Sequence, residues 1–182
     1  AALTDSEKLR TAKTVCRYVN GRAPVLVSVL ETSTRRTIEL ALKMQDLGAD
    51  ALVTAGPYFN TFPSQNSIIE FMERLAEKTE KPLIFYNNPQ KTRNTLSIET
   101  LELIMNMPRV IALKDSSCDM RTFTEILRRY PDKNNRPCAV FQADEHMYDV
   151  SLIMGADGLI TGAGSLFIPE LVELYNNVKN LK

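Results

Sequence analysis

Apolar positions along the chain fall into two spacings that take turns. Leu9, Ala12, Cys16 and Val19 recur at helical intervals behind Thr4 and Glu7, whose T-x-x-E spacing is that of a capping box, so a first helix is predicted there. A continuous apolar run, PVLVSVL (24–30), comes next, then a helical pattern with Ile38, Ala41 and Leu42 in register, stopped by Gly48. The same alternation repeats. ALVTA (51–55) precedes a stripe of Ile68, Ile69, Met72, Leu75 and Ala76. PLIFY (82–86) precedes Leu101, Ile104 and Met105, and VIALK (110–114) leads into a helix around 120–130. CAVFQ (138–142) is trailed by a helix near 145–155. GLIT (158–161) is followed by a last helix with Pro169 at its first position and Leu171, Val172, Tyr175 and Val178 along one side.

Strand-like runs that are each followed by a helical pattern are the signature of repeated βα units and a parallel sheet. No Gly/Ser- or Pro-rich linker interrupts them, so residues 1–182 are expected to form a single domain. Two α/β architectures fit, an open doubly wound sheet and a (β/α)8 barrel. An open sheet usually announces a cofactor by a glycine-rich turn after its first strand. Here that turn reads LETSTRR (30–36), without glycine. The even spacing favours the barrel, although six runs leave it two strands short.

Charge removes some partners. The 22 basic and 22 acidic residues cancel, which gives no electrostatic reason to expect nucleic acid or an anionic membrane. No apolar run approaches the roughly 20 residues that span a bilayer. The opening AALTDSEKLR has no cationic segment followed by an apolar one. Cys16, Cys118 and Cys138 are odd in number and widely spaced, as expected of reduced thiols in the cytoplasm. Cys16 and Cys138 read as core thiols and His146, the single histidine, as a surface residue. With no CxxC or HxxxH, no metal site is expected.

The stretch VIALKDSS (110–117) raises the chemical question. Four apolar residues in a row read as a strand buried on both faces, and Lys114 stands where it reaches the surface. Lys114 is either a solvated lysine closing a strand or an amine in a partly dry pocket, its pKa lowered far enough to make it a nucleophile. In a barrel the loops at the C-terminal strand ends converge on one mouth. Successive runs end there in Glu31 and Thr32, then in Pro57, Tyr58, Phe59 and Asn60. Tyr86, Asn87 and Asn88 follow, with Pro89 and Lys91 close behind, then Lys114, Asp115 and Ser116. The last two ends hold Gln142, Asp144 and Glu145, and Thr161, Gly162 and Gly164. Alone, Tyr86 would be an amphipathic rim residue. Beside Lys114 it is a phenol able to move protons to and from a carbinolamine oxygen, as imine chemistry requires. Asp144 and Glu145 fit a helix cap and a first-turn acid, and equally hydrogen-bond partners for a polyhydroxylated substrate. TGAGS (161–165) before a helix could bind phosphate through backbone amides.

Taken in order, these segments resemble the pyruvate-dependent class I aldolases of the dihydrodipicolinate synthase and N-acetylneuraminate lyase family. GADALVTAGPYFN (48–60), PLIFYNNPQKT (82–92), VIALKDSSCD (110–119), FQADE (141–145) and GADGLIT (155–161) carry the resemblance, and the YN-x-P and K-[DE]-S motifs are its specific pair. The resemblance implies a (β/α)8 TIM barrel in which Lys114 forms a Schiff base with pyruvate or another 2-oxo acid. It implies that Tyr86 handles the proton transfers and that the Ile160 carbonyl lines the site, with no cofactor, in a cytoplasmic homotetramer. Phe59 stands where the synthase branch carries a second relay tyrosine, and Lys91 where it carries an arginine for a second carboxylate. Asp144-Glu145 resembles the sialic acid lyase pattern. The substrate contacts expected from this are Ile160, Asp144, Glu145, Lys91 and Thr161. The expected substrate is a 2-keto-3-deoxy sugar acid or a sialic acid, split into pyruvate and an aldehyde. Dihydrodipicolinate synthase or a related dehydratase is the alternative within the family. A phosphate-binding barrel using TGAGS, or a non-catalytic fragment, is the alternative outside it. The family's Gly-[ST]-Thr-Gly-Glu segment, first two strands and most C-terminal helices are absent, and a complete barrel takes about 250 residues. A partial barrel with two open strand edges is therefore expected. Cys118 replaces the family's glycine, so the turn after Lys114 is expected to differ.

Overall fold

The computed structural model describes residues 2–59 and 61–180. Strands β1 (Leu26–Ser28), β2 (Ala51–Thr54), β3 (Leu83–Asn87), β4 (Val110–Asp115), β5 (Ala139–Gln142) and β6 (Gly158–Leu159) form one sheet in sequence order. Every neighbouring pair is parallel. Helices α1 (Asp5–Val19), α2 (Thr34–Asp46), α3 (Gln65–Lys78), α4 (Pro89–Thr92), α5 (Ile98–Met105), α6 (Met120–Arg129), α7 (Tyr148–Ile153) and α8 (Ile168–Asn180) fill the connections. A doubly wound sheet reverses its strand order at a switch point. This one never does, so the barrel reading holds: the molecule is a TIM barrel lacking two strands, with β1 and β6 as its edges.

Side chains on successive strand residues point to opposite faces, and residues paired across parallel strands point the same way. One face is dry. Leu52, Leu83, Phe85, Leu113 and Val140 pack there against Met44, Phe71, Leu75, Ile104 and Phe123 from the helices. Burying each such side chain contributes about 1.5–3 kcal/mol, so this face holds the fold together. The other face carries the small cluster Ala51, Ile84 and Ala112, flanked by the half-buried Val53, Ala139 and Phe141. That face is the barrel lumen. The helices begin where their sequences say they should. Thr4 and Glu7 form the capping box on α1, and Ser33, Ser64, Ser97 and Asp119 accept backbone N–H bonds at the starts of α2, α3, α5 and α6. Each such cap contributes about 1 kcal/mol.

Several expectations need correction. The run VIALK is not buried on both faces, because Ile111 is 48% exposed. Leu83 pairs with Val110 but Ile84 with Ala112, so Ile111 is an extra residue opposite no partner. The stretch 145–155 is not one helix. A 3-10 turn over Glu145–Met147 precedes α7. Helix α8 starts at Ile168, one residue ahead of Pro169. Cys16 is only half-buried, unlike Cys138, and Cys118 is exposed. β6 is shorter than GLIT, although the Ile160 N–H still bonds the Gln142 carbonyl at 3.0 Å. Asn60 lies outside the described residues. Among the described residues no helix is long and apolar enough to cross a membrane, and no three His, Cys, Asp or Glu side chains are grouped to hold a metal ion.

Candidate active site

The site starts from the register of two strands. Tyr86 pairs with Lys114 and Asn87 with Asp115. Ile84 and Ala112 face the lumen, so alternation sends Tyr86 and Lys114 there too, and Asn87 and Asp115 to the helix side. Lys114 Nζ lies 4.2 Å from the centre of the Tyr86 ring. Both residues are half-buried. Lys8, Arg36, Arg129 and Arg136 all sit on carboxylates. Among the described residues Lys114 has no such partner, only the ring. Nothing commits its nitrogen to an ion pair.

The phenol is held from behind. Asn88 Nδ2 donates to the Tyr86 hydroxyl at 2.6 Å, while Asn88 Oδ1 accepts the Lys91 backbone N–H at 3.1 Å. A backbone N–H can only donate, so the amide orientation is fixed. The phenol oxygen accepts one bond and keeps its own proton for another group. Asn88 also caps α4, with Pro89 at the first helical position. One asparagine thus joins the first turn of a helix to the hydroxyl of Tyr86. Lys91 lies on that turn with its side chain exposed.

Asp115 is 1% exposed and points away from the lumen. It accepts Asn87 Nδ2 at 2.6 Å, Ser117 Oγ at 2.7 Å and the Ser117 N–H at 3.0 Å. Burial pushes its carboxyl up, and the Ser117 and Asn87 bonds only partly offset this. Gln142, its register partner on β5, is equally buried. Gln142 Oε1 accepts the N–H groups of Ala143 and Asp144.

The remaining candidates form a rim. Asp144 caps the 3-10 turn, accepting the His146 N–H at 3.1 Å and contacting His146 Nδ1 at 3.0 Å. The His146 ring holds its carboxyl below the usual range. His146 itself is exposed, as expected from the sequence. The nearby Asp144 carboxylate pushes the Cys118 thiol up, and Cys118 has φ 57, a backbone region that favours glycine. Glu145 does not reach freely into the mouth. Its Oε1 accepts Thr161 Oγ1 at 3.3 Å and the Ala163 N–H at 3.2 Å. Its own backbone N–H, and then Ala163 and Thr161, keep its carboxyl low. Glu145 and Thr161 therefore tie the loops after β5 and β6 together, and a carboxylate already occupies an amide of TGAGS. The Ser165 N–H turns inward to the Gly162 carbonyl. That arrangement disfavours a phosphate there. Ile160 is half-buried beside β5. Phe59 is 78% exposed with φ 96.

Glu31 belongs to another cluster. It is 4% exposed and bonds Lys8 Nζ at 2.6 Å and Arg36 Nε at 3.0 Å. Burial pushes its carboxyl up, but the two cations outweigh that and hold it low. Sequence reading found the strand ends but missed two things, the Asn88 contact on the phenol and the buried row of Asn87, Asp115 and Gln142. The period-two alternation around Lys114 was the available signal for the row.

Comparison with known proteins bears on the family and the fold. The model of the dihydrodipicolinate synthetase family matches residues 1–181. The 4-hydroxy-tetrahydrodipicolinate synthase of Staphylococcus epidermidis is 30% identical over 178 residues, which cover 98% of this chain and 59% of that enzyme. The pyruvate complex of dihydrodipicolinate synthase from Acinetobacter baumannii superposes with a TM-score of 0.90 at 28% identity, over 98% of this chain and 60% of that one. The 2-keto 3-deoxygluconate aldolase from Picrophilus torridus superposes with a TM-score of 0.85 at 30% identity, over 98% and 62%. The chain thus spans about three-fifths of the length of these relatives.

Proposed function

Because this chain belongs to the dihydrodipicolinate synthetase family, we propose that it acts as a Schiff-base-forming aldolase on a 2-oxo acid, with Lys114 as nucleophile and Tyr86 as proton carrier. The observation that carries the proposal is the pairing of an uncommitted lysine with a phenol, Nζ to ring centre 4.2 Å, on the lumen face of adjacent strands. The Lys114 lone pair adds to the ketone carbon of the 2-oxo acid, and the carbonyl oxygen takes up a proton to give a carbinolamine. Tyr86 protonates the departing hydroxyl, water leaves, and the nitrogen lone pair closes the C=N bond. The resulting iminium is an electron sink. In cleavage the Tyr86 phenolate, left by the dehydration, takes the proton of the substrate hydroxyl as electrons of the neighbouring C–C bond flow into the iminium, leaving an enamine and releasing an aldehyde. In condensation the enamine carbon attacks an aldehyde instead. Protonation of the enamine and hydrolysis of the imine return the free lysine and pyruvate.

The substrate class is a 2-keto-3-deoxy sugar acid. The buried Asp144 carboxylate on the rim supports it as an acceptor for substrate hydroxyls, and Lys91, Thr161, Glu145 and the Ile160 backbone are the further substrate contacts in this reading. Likeness to the Picrophilus torridus aldolase supports the same reading. Likeness to the Staphylococcus epidermidis enzyme supports the synthase reaction as the second reading. Residues 1–182 act as one partial barrel unit, and the working assembly is a homotetramer. Borohydride reduction in the presence of pyruvate, followed by peptide mass mapping, is expected to place the adduct on Lys114. An unmodified Lys114 in the folded full chain refutes the proposal. A panel of 2-keto-3-deoxy sugar acids against aspartate semialdehyde separates the two readings.

A further inference from the structure

Behind the lumen row Tyr86, Lys114 and Phe141 lies a second row, Asn87, Asp115 and Gln142, one residue later on each strand and in the same register. All three are buried on the helix side, 5%, 1% and 1% exposed. Polar side chains in that environment need partners, and these find them in one another or in the loops that build the mouth. Asp115 is the centre. It collects one bond from β3, through Asn87, and two from the turn after Lys114, through Ser117. The backbone reinforces the same junction, because the Ser116 N–H bonds the Asn87 carbonyl and the Ala143 N–H bonds the Asp115 carbonyl, both at 2.8 Å.

From this geometry we infer that Asp115 is a positioning residue: with Asn87 it clamps the ends of β3 and β4 and so sets the spacing of Lys114 over Tyr86. Asn87 is bonded covalently to Tyr86 and Asp115 to Lys114, so the 2.6 Å side-chain bond on one face fixes the pair on the other. The lysine has no ion pair of its own to hold it, and its strand is already irregular at Ile111. Remove the clamp and the turn at Ser117 loses its anchor together with the cross-strand tie. An error of about 1 Å in a reacting group can cost roughly a hundredfold in rate. The inference rests on the aldolase reading for its consequence, though not for its geometry.

The test exploits polarity. In Asp115→Leu no oxygen is left to accept from Asn87 or Ser117; Asp115→Asn alone does not serve, because the Asn87 amide can flip and accept from the new NH2. In Asn87→Asp two carboxylates face each other. The double variant Asn87→Asp with Asp115→Asn restores every bond with donor and acceptor exchanged, since the new Asn oxygen accepts from Ser117 and its NH2 donates to the new Asp. Three measurements are made on the full chain: borohydride trapping of pyruvate per folded molecule, far-UV circular dichroism, and the Nζ-to-ring distance in crystal structures. Each single variant is expected to trap about 10- to 100-fold more slowly at saturating pyruvate, with the distance lengthened, and the double variant to recover both. Folded single variants with unchanged trapping and distance overturn the inference, as does a folded double variant that recovers neither. A single variant that fails to fold leaves the decision to the double variant and to Ser117→Ala, which must slow trapping by a smaller factor. If the wild-type protein does not trap pyruvate, the aldolase reading fails. The distances then decide the positioning role alone: lengthened in the singles and restored in the double, or not.

Discussion

The two ends of the sheet are both rich in charge, yet they use it in opposite ways. At the N-terminal ends, the Arg136 side chain is 2% exposed and donates to Asp157 and to the carbonyls of Gly155 and Tyr130. Lys133 joins through Asp157 and the Ala156 carbonyl. Asp157 also accepts the Val140 N–H at 2.7 Å, and Asp50 accepts the Val25 N–H at 2.7 Å. Charges here are consumed by one another and by the backbone. At the C-terminal ends the carboxylates Asp115, Asp144 and Glu145 are likewise engaged, but the lysine among them is left out. The contrast teaches that the scaffold can neutralise buried charge when stability is the only demand, and that at the mouth it leaves a half-buried lysine on the lumen face without an anion.

Substitutions at either end of the sheet test this division. Lys114→Ala is expected to abolish pyruvate trapping altogether while leaving the circular dichroism spectrum intact, since no described contact but the Tyr86 ring is lost. Tyr86→Phe keeps that ring and removes the hydroxyl, so turnover is expected to fall about 10²–10⁴-fold, read as kcat for cleavage of a sugar acid. At the opposite end, Asp157→Ala leaves a buried guanidinium without its anion and is expected to cost about 3 kcal/mol in chemical denaturation, near the low end of about 3–5 kcal/mol for such losses. Arg136 keeps its two carbonyls, which limits the damage. Trapping per folded molecule should not change in that variant. The smallest effect is a slope. Burial raises the Asp115 carboxyl above its ordinary 3.8, so the folded state binds that proton more tightly than the unfolded chain does. Its contribution to stability is therefore largest in acid and declines as pH rises from 3.8 through the raised folded value. Denaturation midpoints of Asp115→Asn across that window should lack the decline.

Much of this was legible in the sequence because local rules were enough. Helix periodicity and the Thr4–Glu7 box placed the helices, and the absence of a glycine-rich first turn pointed away from an open sheet. The tripeptide Gly-Ala-Asp occurs at 48–50 and again at 155–157 and does the same work twice. Gly48 and Gly155 have φ 96 and 106, and Asp50 and Asp157 accept the N–H groups of Val25, just before β1, and Val140, in β5. Lys114 and Tyr86 were legible as a pair because parallel strands place equivalent ends side by side. The facing of polar strand-end residues was not. Whether Glu31 meets the lumen or the Lys8 and Arg36 side chains depends on helices α1 and α2, and whether Glu145 is free depends on a loop 16 residues away. Such contacts are tertiary, and no spacing announces them.

The unpaired Ile111 has a consequence in simple counting. Were Ile111 paired instead of left over, Ile84 would stand opposite Ile111, Tyr86 opposite Leu113, and Lys114 opposite Asn87. The odd–even phase of everything downstream in β4 would invert, and the amine would be driven among Phe85 and its helical neighbours. Loss of the Ile111 codon would leave Tyr86 opposite Lys114, whereas a codon gained or lost between Ala112 and Lys114 would turn the amine out of the lumen.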